Sequence, residues 1–273
     1  MESRAKKGAT RPRARKRRVD TVKVGLFVPC FVDQFFPEAG RAVVSILEER
    51  GIEVEFPEGQ TCCGQPAWNL GLRKEARALA TRFEHIFSDY EHVVAPSASC
   101  VAMVRSHYPE ALPPEASAEP GAFKRVFEIC TFLWEILGER KVEGSFPHRV
   151  GLHEGCHGLR ELGQGHASER VHDTSPDPIR SLLGSIEGLE LVALSRPDEC
   201  CGFGGTFAWS EAEVSTRMGE DRLADHAQAG AQVLASADPS CLVHLWGLSQ
   251  RREKPLATMH VAEILAGYEP RWP

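Results

Sequence analysis

The chain has 273 residues, 42% of them hydrophobic and 26% charged, with a formal net charge of −6. That composition suits a soluble globule and is long enough for one large domain or two smaller ones with real cores. No apolar run approaches the ~20 residues that a membrane-spanning helix needs, so no membrane span is expected.

The chain opens on "MESRAKKGATRPRARKRRVD", residues 1–20, with nine basic residues against Glu2 and Asp20. Such a stretch cannot bury surface and reads as a disordered basic tail. The rest of the chain is acidic, with 23 basic and 36 acidic residues, which argues against a nucleic-acid partner. Arg17–Arg18 resembles half of a twin-arginine signal, but no apolar core of ~7–15 residues follows it. A cytoplasmic location is therefore expected.

Beyond the tail, short aliphatic runs alternate with helical patterns. Val22–Val28 reads as a strand running into Cys30. "PEAGRAVVSILEERG" (37–51) places Ala42, Val43, Ile46 and Leu47 on one helical face, with Gly51 as a stop. A strand at Ile52–Phe56 precedes Cys62-Cys63-Gly64, and 69–87 is helix-like. A third strand, His92–Ala95, leads to Cys100. "YPEALPPEASAEPGAF" (108–123) reads as a surface loop, and "FKRVFEICTFLWEILG" (123–138) as an amphipathic helix burying Cys130.

The second half repeats the order. Strands are expected at Val150–His153, Leu189–Leu194 and Gln232–Ala235, with a helix over 206–227. They carry Cys156, then Cys200-Cys201-Gly202, then Cys241. "VGLFVPC" matches "VGLHEGC", "TCCGQP" matches "ECCGFGG", and "VVAPSASC" matches "VLASADPSC". Four cysteines recurring in one order with matching flanks mark an internal repeat. The expected fold is α/β: two pseudo-repeated lobes, each a small, mainly parallel sheet with flanking helices and a Cys-Cys-Gly motif at strand ends. The boundaries read as a tail over 1–20, a first lobe over 21–122, a connecting helix and linker over 123–148, and a second lobe over 149–273.

Eight of the nine cysteines thus fall where a parallel sheet gathers its ligands, beyond the carboxyl ends of the strands. Converging thiolates suit a soft metal, either zinc or an iron–sulfur cluster. Structural zinc favours tight C-x₂-C hairpins, which this chain lacks. Vicinal cysteines fit a cluster better than one tetrahedral ion, and Gly64 and Gly202 let the backbone turn so that amides approach sulfur.

"HEGCHG" (153–158) contains the H-E-x-x-H spacing of a zinc protease. Three glycines within 151–158 oppose the helix that motif needs, and the stretch ends an apolar strand. The expected ligand there is Cys156, the counterpart of Cys30. His153 and His157 become candidates to support a cluster from behind its ligands.

"CCGQP", "SASC", "HEGCH", "CCGFGGTFA" with Met218, and "DPSCL" together resemble the cysteine-rich CCG-domain proteins. That superfamily includes the B subunit of heterodisulfide reductase and the iron–sulfur subunit of glycolate oxidase. The pattern is nearest to the A-subunit family of L-lactate utilisation complexes. The resemblance covers about residues 22–268. It implies Cys30, Cys62, Cys63 and Cys100 as ligands in one lobe, and Cys156, Cys200, Cys201 and Cys241 in the other. Their cofactor would be one or two iron–sulfur clusters of the [4Fe–4S] type.

The resemblance also implies a non-autonomous oxidoreductase subunit that transfers electrons while L-lactate, or a related 2-hydroxy acid, becomes pyruvate. Its partners would be an iron–sulfur, ferredoxin-like subunit and a third subunit. Heterodisulfide reductase ends each motif in C-x-x-C, whereas this chain has Met103 and His244 at the last positions. His244 is thus a possible substitute ligand. A thiol–disulfide reductase using the vicinal pairs and a zinc-stabilised interaction module are the competing readings. "GFGG" (202–205) follows a Cys-Cys pair and lacks the features of a dinucleotide site.

Overall fold

The computed structural model describes residues 23–115 and 121–272. The basic tail expected over 1–20 lies outside these residues, as do 116–120 of the expected loop.

Two four-stranded sheets form, each entirely parallel. The first holds β1 (Lys23–Leu26), β2 (Glu53–Glu55), β3 (His92–Ala95) and β4 (Val126–Glu128) in the order β2-β1-β3-β4. The second holds β5 (Arg149–His153), β6 (Glu190–Leu191), β7 (Val233–Ser236) and β8 (Ala257–His260) in the equivalent order β6-β5-β7-β8. The central strands are aliphatic and buried on both faces, as parallel sheets covered by helices require. In each sheet the chain leaves the first strand to one side and returns to pair on the other. The crevice at that reversal, beyond the strand ends, is where such folds bind ligands.

The two sheets also share their register. Val24 pairs with His92 and Val150 with Val233. Cys30 and Cys156 each lie six residues beyond the first member of those pairs, and Cys100 and Cys241 each lie eight beyond the second. The repeat read from the sequence is therefore a repeat in space, position for position.

Helix Pro37–Glu48 buries the stripe expected of it, including Ala42, Val43, Ile46 and Leu47. Residues 69–87 divide at Gly71, whose φ of 76° ends helix Gln65–Asn69 before helix Arg73–Phe87 begins. Similarly, 206–227 forms a short helix, Phe207–Ser210, and a long one, Ala212–Gln228.

The helix expected over 123–138 is corrected. Val126–Glu128 is instead the fourth strand of the first sheet, and helix begins only at Ile129. An apolar run this short fits a buried strand as well as a helical stripe, and pairing with β3 decides the matter. Its twin β8 carried no strand expectation. One hydrophobic core spans both sheets, running from Val24 and Val94 through Phe132 to Val150, Val233 and Ile264, so the lobes pack as one body.

Candidate metal centre

In the first lobe, Cys30 opens a helix immediately after β1, Cys62 and Cys63 follow β2, and Cys100 lies in helix Ala98–Ala102 after β3. The sulfurs of Cys30 and Cys62 are 3.7 Å apart. The Cys62 sulfur is the acceptor of the set: hydrogen bonds from the Cys30 and Cys63 thiols, and the Gly64 amide at 3.4 Å, hold its pKa far below that of an ordinary thiol. Its donor Cys30 is pushed up by the same bond and by burial, and Cys63 is raised through its bonds to Cys100 and Cys62.

The second lobe repeats the chemistry. Cys156 opens a helix after β5, Cys200 and Cys201 follow β6, and Cys241 lies in helix Pro239–Ser249 after β7. Cys200 is the acceptor, taking hydrogen bonds from Cys156, Cys201 and the Gly202 amide at 3.3 Å, and its pKa falls. Hydrogen bonds to the neighbouring thiols, and then burial, raise Cys156 and Cys201. Gly64 and Gly202 both take the left-handed backbone that these contacts need, at φ 85° and 87°.

All eight of these cysteines line one cavity of about 340 Å³ between the lobes. Phe31 of the first lobe meets Phe203 of the second edge-to-face across it, 5.5 Å between centroids. Trp209 also lines it and is 90% exposed, so it fills no core. The cysteines are free thiols, with Cys63, Cys100, Cys201 and Cys241 buried. Soft donors converging beside backbone amides form the donor set a thiophilic metal centre requires, and the residues fit such a group. Cys130 takes no part: it is fully buried behind Glu128, and burial raises its thiol pKa.

The histidines separate. His153 ends β5 and is buried, while His157 lies on the following helix and faces the cavity. They do not share a helix, so the H-E-x-x-H spacing makes no protease site. The His157 ring lies 2.5 Å from Glu161 through Nδ1 and 3.4 Å from Gln65 of the first lobe through Nε2. The carboxylate of Glu161 raises the His157 pKa. His153 is held neutral by burial and by the charge of Arg222, its pKa down at about 4. His244 is engaged by backbone carbonyls, those of Ser215 (3.3 Å from Nε2) and Cys201, and neither it nor the buried Met103 lines the cavity.

Sequence reasoning missed Asp238 and Ser99, which lie between the two cysteine sets. "ADPSC" does carry a helix-start signal, an Asp before a Pro, but nothing in it reveals a partner 139 residues away.

Comparison with known proteins bears on this geometry. The cysteine-rich CCG domain family matches residues 24–105 and 150–246, one match per lobe. The chain belongs to the CCG cysteine-rich domain family. It is 39% identical over 247 residues to lactate utilization protein A of Halalkalibacterium halodurans, covering 89% of this chain and 96% of that one. It is 40% identical to lactate utilization protein A of Geobacillus kaustophilus, covering 89% and 98%. Lactate utilization protein A 2 of Bacillus cereus strain Q1 is 36% identical over 248 residues, covering 90% and 98%. Among solved structures, an aspartate racemase homologue from Pyrococcus horikoshii aligns with 90% of this chain and 96% of its own at 15% identity, with a TM-score of 0.31. No helix among the described residues is long and apolar enough to cross a membrane.

Proposed function

We propose that this chain is the iron–sulfur electron-transfer subunit of a complex that oxidises L-lactate, or a related 2-hydroxy acid, to pyruvate. The observation that carries the reading is the pair of matched four-cysteine sets opening on one cavity at the strand ends. Cys30, Cys62, Cys63 and Cys100 would hold one [4Fe–4S] centre, and Cys156, Cys200, Cys201 and Cys241 the other. When bound, these centres supply one-electron carriage. The chain's own residues do the rest: Gly64, Gly202 and Phe203 bring amides to sulfur, and Phe31 and Phe203 give the cavity an apolar wall.

Lactate oxidation releases electrons in pairs, and the chain has no nicotinamide or flavin fingerprint. The reading therefore places it with two further subunits in the cytoplasm, one of them ferredoxin-like. The names of its relatives, lactate utilization protein A, support the substrate.

The test is anaerobic purification of the chain, followed by iron, acid-labile sulfide and zinc analysis. About four irons per occupied site, matched by sulfide, are expected with a brown protein. A colourless protein carrying only zinc sinks the reading. Co-purification with a ferredoxin-like subunit, and lactate-dependent reduction of the assembled complex, test the partners and the substrate.

A further inference from the structure

The two cysteine sets sit in matched frames, and the residue directly behind them differs. Phe27 and His153 occupy the same position, three residues beyond Val24 and Val150 and three before Cys30 and Cys156. Phe27 packs into an aromatic cluster, with centroids 5.1 Å from Phe83 and 5.7 Å from Phe87. His153 is 1% exposed, and neither ring nitrogen has a hydrogen-bond partner. A buried, unpaired polar atom costs about 1–3 kcal/mol, so an imidazole left in this state calls for a partner the protein chain does not supply.

The surroundings say where that partner lies. A His153 ring nitrogen and the Cys201 and Cys241 sulfurs all fall within 4.8 Å of one another. Donors to one tetrahedral metal at ordinary bond lengths stand about 3.5–4 Å apart, so the three are already close to a common coordination sphere. His244, which the sequence offered as the extra ligand, is turned to the Ser215 carbonyl.

We propose that His153 is a metal ligand of the second site, giving it an imidazole donor that the first site lacks because Phe27 stands there. The proposal rests on the iron–sulfur reading above. His153 would stand in for one of the four second-lobe thiolates at an iron, which makes the two sites unequal: an imidazole ligand carries no charge where a thiolate carries one, and such replacement raises the reduction potential of an iron–sulfur centre. Behind His153, the buried Arg222 adds positive charge. Asp225 (3.3 Å from Arg222) and Glu199 (3.9 Å) partly offset it. Electrons entering at the first lobe would then collect on the second.

The experiment uses the full chain loaded with iron and sulfide under anaerobic conditions. Pulsed EPR of the reduced protein should contain a strong nitrogen coupling that changes when the protein is grown with 15N-histidine. That coupling should vanish in His153→Phe, which installs the first lobe's residue, and persist in His244→Leu. A potentiometric titration should resolve two steps, with His153→Phe moving the upper one to lower potential and leaving the lower one in place. If His153→Phe fails to fold, the labelled spectra of the unaltered chain, of His244→Leu and of His157→Gln still decide, because the coupling must persist in both variants. Intact clusters with no histidine coupling, or a coupling lost in His244→Leu instead, overturn the proposal alone. A chain that binds no iron overturns both this and the function proposed above.

Discussion

Ser99 gives both its backbone amide and its hydroxyl to Asp238, one to each carboxylate oxygen, at 2.9 and 3.1 Å. Asp238 also accepts from the amide and hydroxyl of Ser240, at 3.1 and 2.7 Å, capping the helix that carries Cys241. Ser99 adjoins Cys100. A single buried carboxylate therefore fixes both cysteine-bearing helices, one from each lobe, and Ala98 adds a backbone bond to Ala237 at 3.0 Å. Replacing Asp238 with Ala removes a cap and strands the Ser99 donors. The expected loss is about 2–4 kcal/mol, against about 1 kcal/mol for Ser99→Ala. Urea unfolding midpoints measure both. An Asp238→Ala variant as stable as the original chain would dismiss the clamp.

Each cysteine set is built around one acceptor sulfur, Cys62 or Cys200, which touches two thiols and an amide. Cys62→Ser should empty the first site and leave the second filled, and Cys200→Ser should do the reverse. Each is expected to halve the iron and sulfide per chain, and the double variant to remove both. Cys130→Ser should leave iron unchanged, because Cys130 lies outside the cavity. Metal analysis of the four variants checks this, and loss of all iron on changing one site alone would contradict independent sites.

Much of this arrangement was legible in the sequence because cysteines mark the strand ends. The order of Cys30, Cys62-Cys63 and Cys100, repeated at Cys156, Cys200-Cys201 and Cys241, carried the duplication, and the aliphatic runs before them carried six of eight strands. The fourth strand of each sheet escaped because Val126–Glu128 and Ala257–His260 lead to none of the eight repeated cysteines, and their short apolar runs have no decisive period. The cavity shared by the two sets and the Asp238–Ser99 tie escaped for another reason. Both depend on how the lobes face each other, which no local pattern encodes. His153 was legible in the sequence as a candidate to support a cluster from behind its ligands, and the isolation of its ring becomes evident once β5 is paired and the ring is enclosed.

Glu128 and His260 are counterparts in the same sense: each ends a fourth strand and caps the helix that follows. Burial raises the Glu128 pKa from 4.5 to about 7, with the Cys130 and Thr131 amides opposing the shift. Between about pH 4.5 and 7 the folded chain therefore holds a proton that the unfolded chain has lost, and stability from this group falls as pH rises. The full effect is about 3 kcal/mol, present below pH 4.5 and gone above pH 7. Glu128→Gln mimics the protonated acid and should remove this slope. The buried histidines act in the opposite sense: His260, its pKa lowered to about 4, favours folding as pH rises from 4 to 6.5. The comparison is therefore the difference between the two proteins in urea at pH 5 and pH 8. Parallel pH profiles would refute it.

Gly202 and Gly205 both sit in the left-handed region, at φ 87° and 62°, yet they should respond differently to alanine. A Cβ on Gly202 would come within 2.6 Å of the Met218 Cβ and 2.7 Å of the Ser215 carbonyl oxygen, both fixed on the long helix Ala212–Gln228. A Cβ on Gly205 meets nothing within 4 Å. Gly205→Ala then carries only the left-handed backbone cost of about 1–2 kcal/mol. Gly202→Ala adds a backbone clash that must push the Cys200–Cys201 turn off the helix, for a total of at least about 3 kcal/mol. Gly64 is intermediate, since its Cβ would meet the flexible Leu79 side chain at 3.3 Å. The expected order of stability loss is Gly202, then Gly64, then Gly205, read from chemical unfolding of the metal-free chain so that ligand loss does not contribute. Equal losses at Gly202 and Gly205 would mean that the turn is free of the helix, and that the third residue of the Cys-Cys-Gly motif is glycine for its backbone angle alone.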